Sequence, residues 1–212
     1  MGQCRTSSIK ILVCFAFLPM LSTTANAAAL WHPDDSHDTP VSGFVEERVV
    51  QKKLNFGLHQ GIPWIDFGEK NNVPCYLGIH SRNLDGQSDK DAKGISWQEC
   101  ESPRAIRSAG FSDSPRFFLR GLAVCTSSVD KNFNRIKGLR VYAAKVWQTR
   151  EQIDELDPTN ERFVDEETRP NCGRWHMDVF CNPGYIAQGI NVYSEGDAIT
   201  GLGLHCTRVI FK

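Results

Sequence analysis

Cysteine has the most varied chemistry of the side chains in this chain, because its sulfur bonds to a second cysteine, binds metal or acts as a nucleophile. The 212 residues include eight cysteines, and none of them forms a Cys-x-x-Cys pair, the spacing usual in structural zinc sites. Two intervals match instead, since Cys75 and Cys100 lie 25 residues apart and so do Cys181 and Cys206. The spacing favours disulfides over a metal site.

The start of the chain predicts the redox state of these cysteines. Basic Arg5 and Lys10 precede the apolar run 11–21, and small residues follow up to Ala29. This is the pattern of a secretory signal peptide, here 1–27, with cleavage after Ala27 and cleavage after Ala29 as the alternative. It predicts a secreted or periplasmic protein with no membrane span after processing, because a span needs about 20 apolar residues.

Cleavage removes Cys4 and Cys14 and leaves six cysteines in an oxidising compartment, where three disulfides are the default. The matching intervals favour two of the bonds, and the third follows by elimination: Cys75–Cys100, Cys181–Cys206 and Cys125–Cys172. Oxidised in this way, the cysteines would supply no nucleophile.

A weak internal repeat indicates the elements that carry these cysteines. Pairs of segments that begin with glycine and an aliphatic residue recur at 78–81 with 94–97, 121–124 with 138–141, and 189–192 with 201–204. Their alternating apolar residues predict β-strands, and the polar stretches between them predict hairpins. Three such units, each with one apolar face, predict an all-β fold, a β-prism of three antiparallel sheet units around a pseudo-threefold axis. A β-sandwich is the alternative.

The same pattern predicts the domain organisation. A flexible lead-in over 28–45 precedes a single domain over 46–212. A charged stretch with two prolines, about 147–174, is expected to be a helical or loop insertion between the second and third units. A short helix is expected over 149–156, and Cys172 would tie the insertion to the domain.

The third unit carries a family resemblance. It reads Cys-Asn-Pro-Gly over 181–184 and Gly-Asp-Ala-Ile-Thr-Gly-Leu-Gly-Leu-His-Cys over 196–206. This resembles the vitelline membrane outer layer protein family, whose repeats begin with Cys-Pro-x-Gly and end in Asp-Asp-Thr-Ala-Leu-Asn-Gly-Ile-x-Leu-x-Cys. The resemblance implies a secreted, disulfide-containing β-prism of three sheets, associated with extracellular coats, and carbohydrate binding. The jacalin-like lectins are a more distant likeness.

Loops at the hairpin tips are the expected ligand-binding surface, because a rigid scaffold presents variable loops there. The candidates are the polar residues of these tips and one tryptophan that could stack on a sugar ring: Asp85, Asp89, Asp130, Asn132, Glu195, Asp197 and Trp175. The stretch 83–91 faintly resembles a calcium loop, but its glycine is misplaced and the closing glutamate is missing, which favours a solvated tip. His32 and His37 are weak candidates for copper or nickel binding.

These features favour a non-enzymatic protein with no cofactor. No nucleophile, metal-protease or phosphate-loop motif is present, and a net charge of −1 gives no electrostatic reason to bind nucleic acid. The first hypothesis is a secreted, lectin-like protein that binds a glycan or an envelope protein. The alternatives are a protein-binding module such as an inhibitor or toxin subunit, with 147–174 as its recognition surface, and a secreted hydrolase.

Overall fold

The computed structural model describes residues 29–44, 52–57, 59–85, 94–127, 135–147, 152–155, 160 and 163–211. Most of this part of the chain is β-strand, as expected. The strands are β1 Ala29–Asp38, β2 Ser42–Gly43, β3 Lys52–Asn55, β4 Gln60–Gly61, β5 Trp64–Lys70, β6 Val73–His80, β7 Arg82–Asn83, β8 Gly94–Gln98, β9 Arg104–Gly110, β10 Phe117–Ser127, β11 Ile136–Trp147, β12 Gln152–Glu155, β13 Val164–Thr168, β14 Cys172–Trp175, β15 Val179–Phe180, β16 Tyr185–Glu195 and β17 Ala198–Phe211.

The strands form three larger antiparallel sheets. The first has the order β8-β6-β5-β9. The second has the order β12-β11-β10-β14, with β13 also paired to β11 and β15 to β10. The third has the order β1-β17-β16-β3, with β2 also paired to β17. Each sheet is therefore a central hairpin with outer strands on both sides.

One core joins the three sheets. Each sheet contributes aliphatic side chains from its inner face to this core: Ile65, Leu77 and Ile79 from the first, Leu122, Leu139 and Val141 from the second, and Ile190, Leu202 and Leu204 from the third. Trp97 on β8 is also buried there. Because each sheet has one apolar face, three sheets cover all of these faces by closing on each other, which gives the expected three-sheet prism.

The three disulfides join the expected cysteines. Cys75–Cys100 connects β6 to the segment after β8, Cys125–Cys172 connects β10 to β14, and Cys181–Cys206 connects the start of the third hairpin to β17. The first two bonds each link neighbouring segments of one sheet, whereas Cys181, which follows β15 and donates its N–H to the Arg120 carbonyl of β10, links the edge of the second sheet to the third.

The first unit differs in phase from the expected repeat. The strands that contain Gly78 and Gly94 are paired, with Gly78 opposite Ser96, as the repeat predicts. However, the central hairpin of the first sheet is β5–β6, and β8 lies at the edge. In the first sheet, the hairpin that corresponds to β10–β11 and β16–β17 is therefore β5–β6. It begins at Trp64, where the sequence has no glycine followed by an aliphatic residue.

Two further segments differ from expectation. The helix expected over 149–156 is not formed in its described part, because Gln152–Glu155 is β12 and pairs with β11, where Ile153 packs against a small apolar cluster. The lead-in expected over 28–45 contributes β1 and β2 to the third sheet. There Trp31 is buried and donates its Nε1 hydrogen to the carbonyl of Gln60 at 3.1 Å.

The three central hairpins turn at the same end of the prism. The β5–β6 turn is Asn71–Asn72, the β16–β17 turn is centred on Gly196, and β10–β11 turns between Ser127 and Ile136. Lys137, just after the last of these turns, contacts Asn72. We call this the hairpin end. No helix in the described ranges is long and apolar enough to cross a membrane.

Candidate functional site

A cleft of about 320 Å³ opens at the hairpin end, between the first and third sheets. The Cys75–Cys100 disulfide is part of its wall. Its polar lining comes from two hairpin turns and from the segment after β8: Lys70, Asn71, Glu99, Glu101 and Asp197. We call this the hairpin-end cleft. It places one ammonium, one amide and three carboxylates around a space of the size of small-molecule sites.

The turns on either side of the cleft are short because their residues accept left-handed backbone conformations. Asn71 and Asn72 have φ of 51° and 67°, the two consecutive positive values of the tight hairpin turn that asparagine tolerates. Gly196 has φ of 59°, which a glycine adopts without steric cost. Both turns therefore keep Asn71 and Asp197 close to the ends of rigid strands.

A buried ion pair between Lys137 and Glu69 holds the β5–β6 turn in place. Lys137, whose side chain is fully buried, donates to Glu69 Oε2 at 3.1 Å, to the Asn72 carbonyl at 2.7 Å and to Asn72 Oδ1 at 2.8 Å. Arg169 Nη2 lies 2.8 Å from the other oxygen of Glu69. Burial lowers the pKa of Lys137, and Glu69 opposes this shift. Because Lys137 belongs to the second sheet, these bonds fix the first sheet's turn to its neighbour.

The structure brings together some of the candidate residues and separates others. Asp197 lines the hairpin-end cleft, and Glu195 lies exposed in the same turn outside its lining. Asp85 lies at the opposite end of the prism, because β6 runs away from the hairpin end. The backbone N–H of the preceding residue, Leu84, donates to the carbonyl of His59 there. Asp89, Asp130 and Asn132 lie outside the described residues. The tips therefore do not form one surface.

Trp175 is half-buried on the outer face of the second sheet. The guanidinium of Arg140 lies 4.2 Å from the centre of its ring and is held there by Glu166 at 2.7 Å. This cation–π contact covers one face of the ring. Nearby, burial raises the pKa of Tyr142 to about 12, with Asp178 adding to the shift. A role of Trp175 in sugar stacking stays a prediction.

The two histidines considered for metal binding have protein partners. His32 Nδ1 accepts the Asp34 N–H at 3.4 Å, and His37 Nε2 accepts the Asn182 N–H at 3.3 Å. Within the described ranges, no three His, Cys, Asp or Glu side chains are grouped closely enough to hold a metal ion.

The outer faces of two sheets carry carboxylate–histidine pairs that sequence reasoning missed. On the third sheet, His205 Nδ1 lies 2.7 Å from Asp38 Oδ1, and Lys53 lies 3.0 Å from Oδ2. Burial alone would raise the pKa of Asp38, but the hydrogen bonds from His205 and Lys53 outweigh this and lower it to about 2.

On the first sheet, Asp66 accepts from Ser108 Oγ at 2.6 Å and pairs with His80 Nε2 at 2.6 Å. The three residues lie on strands β5, β6 and β9, whose pairing the sequence did not predict. A serine nucleophile needs its hydroxyl on the histidine, whereas here the carboxylate stands between them. The arrangement is therefore a structural bridge across three strands, and it gives no support to the hydrolase alternative.

The region 147–174, considered as a recognition surface, belongs to the second sheet in its described part. Strands β12 and β13 pair with β11, and β14 pairs with β10. Deleting this segment would remove outer strands of a sheet, so it does not have the form of a loop added to a complete domain.

Comparison with protein-family models gives no match, and comparison with curated proteins gives none either. Among solved structures, the chain is similar to a mannose-specific jacalin-related lectin from Morus nigra, with 13% identity over 82% of this chain and 95% of that chain and a TM-score of 0.49. It is also similar to Calystegia sepium agglutinin, with 13% identity, 82% and 97% coverage and a TM-score of 0.48. A mannose-binding jacalin-related lectin from Ananas comosus shows 10% identity, 82% and 98% coverage and a TM-score of 0.47.

The three-sheet β-prism itself is shown by the order of the sheets and the core that they share. The resemblance to the vitelline membrane outer layer family stays a prediction.

Proposed function

We propose that the protein binds carbohydrate in the hairpin-end cleft. The observation that carries this proposal is the meeting of two hairpin turns around a polar cleft of about 320 Å³, with Asp197 on one side and Asn71 on the other. Sugar hydroxyls donate to carboxylates and accept from amide and ammonium groups, so this lining can satisfy both roles of a hydroxyl. The three disulfides support the further proposal that the protein is secreted or periplasmic.

The charge of the cleft favours a neutral ligand. Three carboxylates and one ammonium line the cleft. Its net charge is therefore negative, and a negative cleft repels anions. Hydrogen bonds from neutral hydroxyl groups to carboxylates are stronger than those to uncharged acceptors. We therefore expect a neutral, hydroxyl-rich sugar rather than an acidic one.

Preorganisation supports the same conclusion. The β5–β6 turn is fixed by Lys137, and the Cys75–Cys100 disulfide forms part of the cleft wall. A ligand would therefore lose little binding free energy to the ordering of the protein.

A glycan array on the mature protein tests the proposal and identifies the best neutral glycan for titration calorimetry. Asp197→Asn should weaken binding of that glycan by about tenfold or more, the factor for one hydrogen bond to a charged group. Glu195→Gln is the matched control, because it makes the same change in the same turn outside the cleft lining. Absence of binding to any neutral glycan, or equal losses in both variants, would refute the proposal.

A further inference from the structure

A second cleft, of about 380 Å³, lies at the end of the prism opposite the hairpin end. It forms where β10 begins and β11 ends, next to the loop 111–116. Phe117 and Trp147 supply its aromatic lining, and Asp113, Arg116 and Lys145 supply its charged lining. We call it the aromatic cleft.

The two cations of the aromatic cleft have no carboxylate partner among the described residues. The Lys145 ammonium lies 3.6 Å from the centre of the Trp147 ring and 5.7 Å from that of Phe117. The Arg116 guanidinium forms no ion pair within the same part of the chain, although its backbone carbonyl accepts from Val146. Elsewhere on the surface Lys53, Arg107 and Arg208 pair with carboxylates.

Hydrogen bonds with residues outside the lining hold the walls of the aromatic cleft in place. The guanidinium of Arg82, which is largely buried, donates to the carbonyls of Phe111 at 3.2 Å and Ser114 at 2.7 Å, and also to that of Ser112. These bonds fix the loop that carries Asp113 and Arg116. On the other side, Trp147 donates its Nε1 hydrogen to Asp154 of β12. A cleft with fixed walls binds with a smaller entropy cost.

The side chains that line the cleft are two cations and one carboxylate, and a further carboxylate, Asp154, accepts from Trp147 Nε1 behind the ring, so the lining favours a ligand with one negative charge over one with several. Arg116 and Lys145 attract an anion, and Asp113, whose carboxylate accepts from the Ser112 hydroxyl at 3.2 Å, offsets one of them. The aromatic rings provide apolar surface for a flat or ring-shaped body, and they pack beside the two cations.

We propose that the aromatic cleft binds a ring compound that carries one carboxylate. The carboxylate pairs with Arg116 and Lys145, and the ring lies against Phe117 and Trp147. Uronic acids and aromatic carboxylic acids share this chemistry, and the experiment distinguishes them. The site is independent of the hairpin-end cleft, which lies at the other end of the prism and has the opposite charge.

Titration calorimetry on the mature protein with galacturonate, benzoate and neutral galactose tests the proposal. At least one of the two acids should bind, and galactose titrated into the Asp197→Asn variant, in which the hairpin-end cleft is weakened, should bind about tenfold more weakly than that acid or not at all, because it lacks the charged group. Preferential binding of galacturonate identifies a sugar acid, and preferential binding of benzoate identifies an aromatic acid. Raising the salt concentration to about 0.5 M should weaken binding of the acid, since exposed charges are screened.

Variants separate this site from other arginines and from the hairpin-end cleft. Arg116→Gln should weaken binding of the acid by about tenfold or more, whereas Arg104→Gln removes an equal charge from exposed surface outside the cleft and should leave it unchanged. Asp197→Asn should also leave it unchanged. Three results would overturn the proposal. Binding of the acid could be weakened equally in the two arginine variants, it could be lost in Asp197→Asn, or it could be absent from the unmodified protein at about 10 mM ligand.

Discussion

Removal of the Glu69 carboxylate should destabilise the protein far more than removal of the Lys137 ammonium. In Glu69→Gln, Lys137 remains fully buried and keeps only the two oxygens of Asn72 as partners. At the observed 3.1 Å, an ion pair in an effective dielectric of about 20 amounts to roughly 5 kcal/mol. The amide oxygen of the new glutamine retains part of this interaction. We therefore expect Glu69→Gln to lower the free energy of unfolding by about 3 kcal/mol, the lower limit for a broken buried pair.

The reverse change leaves no isolated charge. In Lys137→Met, Glu69 keeps Arg169 at 2.8 Å, and Asn72 lies in an exposed turn where water can replace the lost donor. Burial of a methylene chain without its ammonium also avoids a desolvation cost. We expect a loss of about 1 kcal/mol, near the net value of a single hydrogen bond.

Urea unfolding at pH 7 with the disulfides intact, followed by tryptophan fluorescence, measures both variants. A loss in Lys137→Met equal to or larger than that in Glu69→Gln would refute the reasoning. The pH dependence adds a second readout. Burial lowers the folded-state pKa of Lys137 below its ordinary value of 10.5, so the unfolded chain binds the proton more tightly and the free energy of unfolding rises as pH approaches 10.5. This rise should be larger in Glu69→Gln and absent from the Lys137→Met variant.

Three further predictions concern other parts of the prism. The pKa of Asp38 is lowered to about 2 from an ordinary value of 3.8, so its stabilisation is present above pH 3.8 and is lost as pH falls towards 2. The urea midpoint should therefore fall across this pH range, and Asp38→Asn should make that fall smaller. The pKa of Tyr142 is raised to about 12 from 10.0, so ultraviolet titration should show one tyrosine ionising near pH 12 that Tyr142→Phe removes, and the stability that this tyrosine contributes should fall as pH rises from 10 to 12. Replacing both Cys125 and Cys172 by serine should cost about 4 kcal/mol by the loop-entropy relation for a 47-residue separation; a loss below about 1 kcal/mol in thermal unfolding would contradict that relation.

The alternation of side chains in strands made much of the fold predictable from the sequence. Glycine followed by alternating aliphatic residues marks the strands around Gly121 and Gly189, and the structure pairs them as expected. The equal cysteine intervals indicated the disulfides. The strand β5 was missed although Trp64 and Asp66 alternate with the inward Ile65 and Phe67, because it lacks the glycine-aliphatic start that marked the other strands.

The sites were less predictable, because they depend on contacts between segments distant in the sequence. Asp197 was recognised as a polar residue in a turn. Its neighbours in the cleft, Lys70 and Glu99, have no local pattern that marks them as partners. The expected helix around Ile153 failed for a related reason: its charged residues suit a helix, but pairing with the edge of β11 outweighs that local preference.

The third sheet joins the two ends of the described chain. Its central hairpin is β16–β17, yet its outer strands β1, β2 and β3 come from the other end of the domain. Ala29 is paired with Phe211. The backbone is therefore nearly a closed ring, and a short peptide could connect these two residues. The domain should then tolerate circular permutation, with new termini opened between Asp85 and Gly94, two residues that lie at the end away from the hairpin-end cleft. In such a permutant β8 and β9 would come from the new start of the chain and β5 and β6 from its new end. The first sheet, rather than the third, would then be the one built from both ends of the chain.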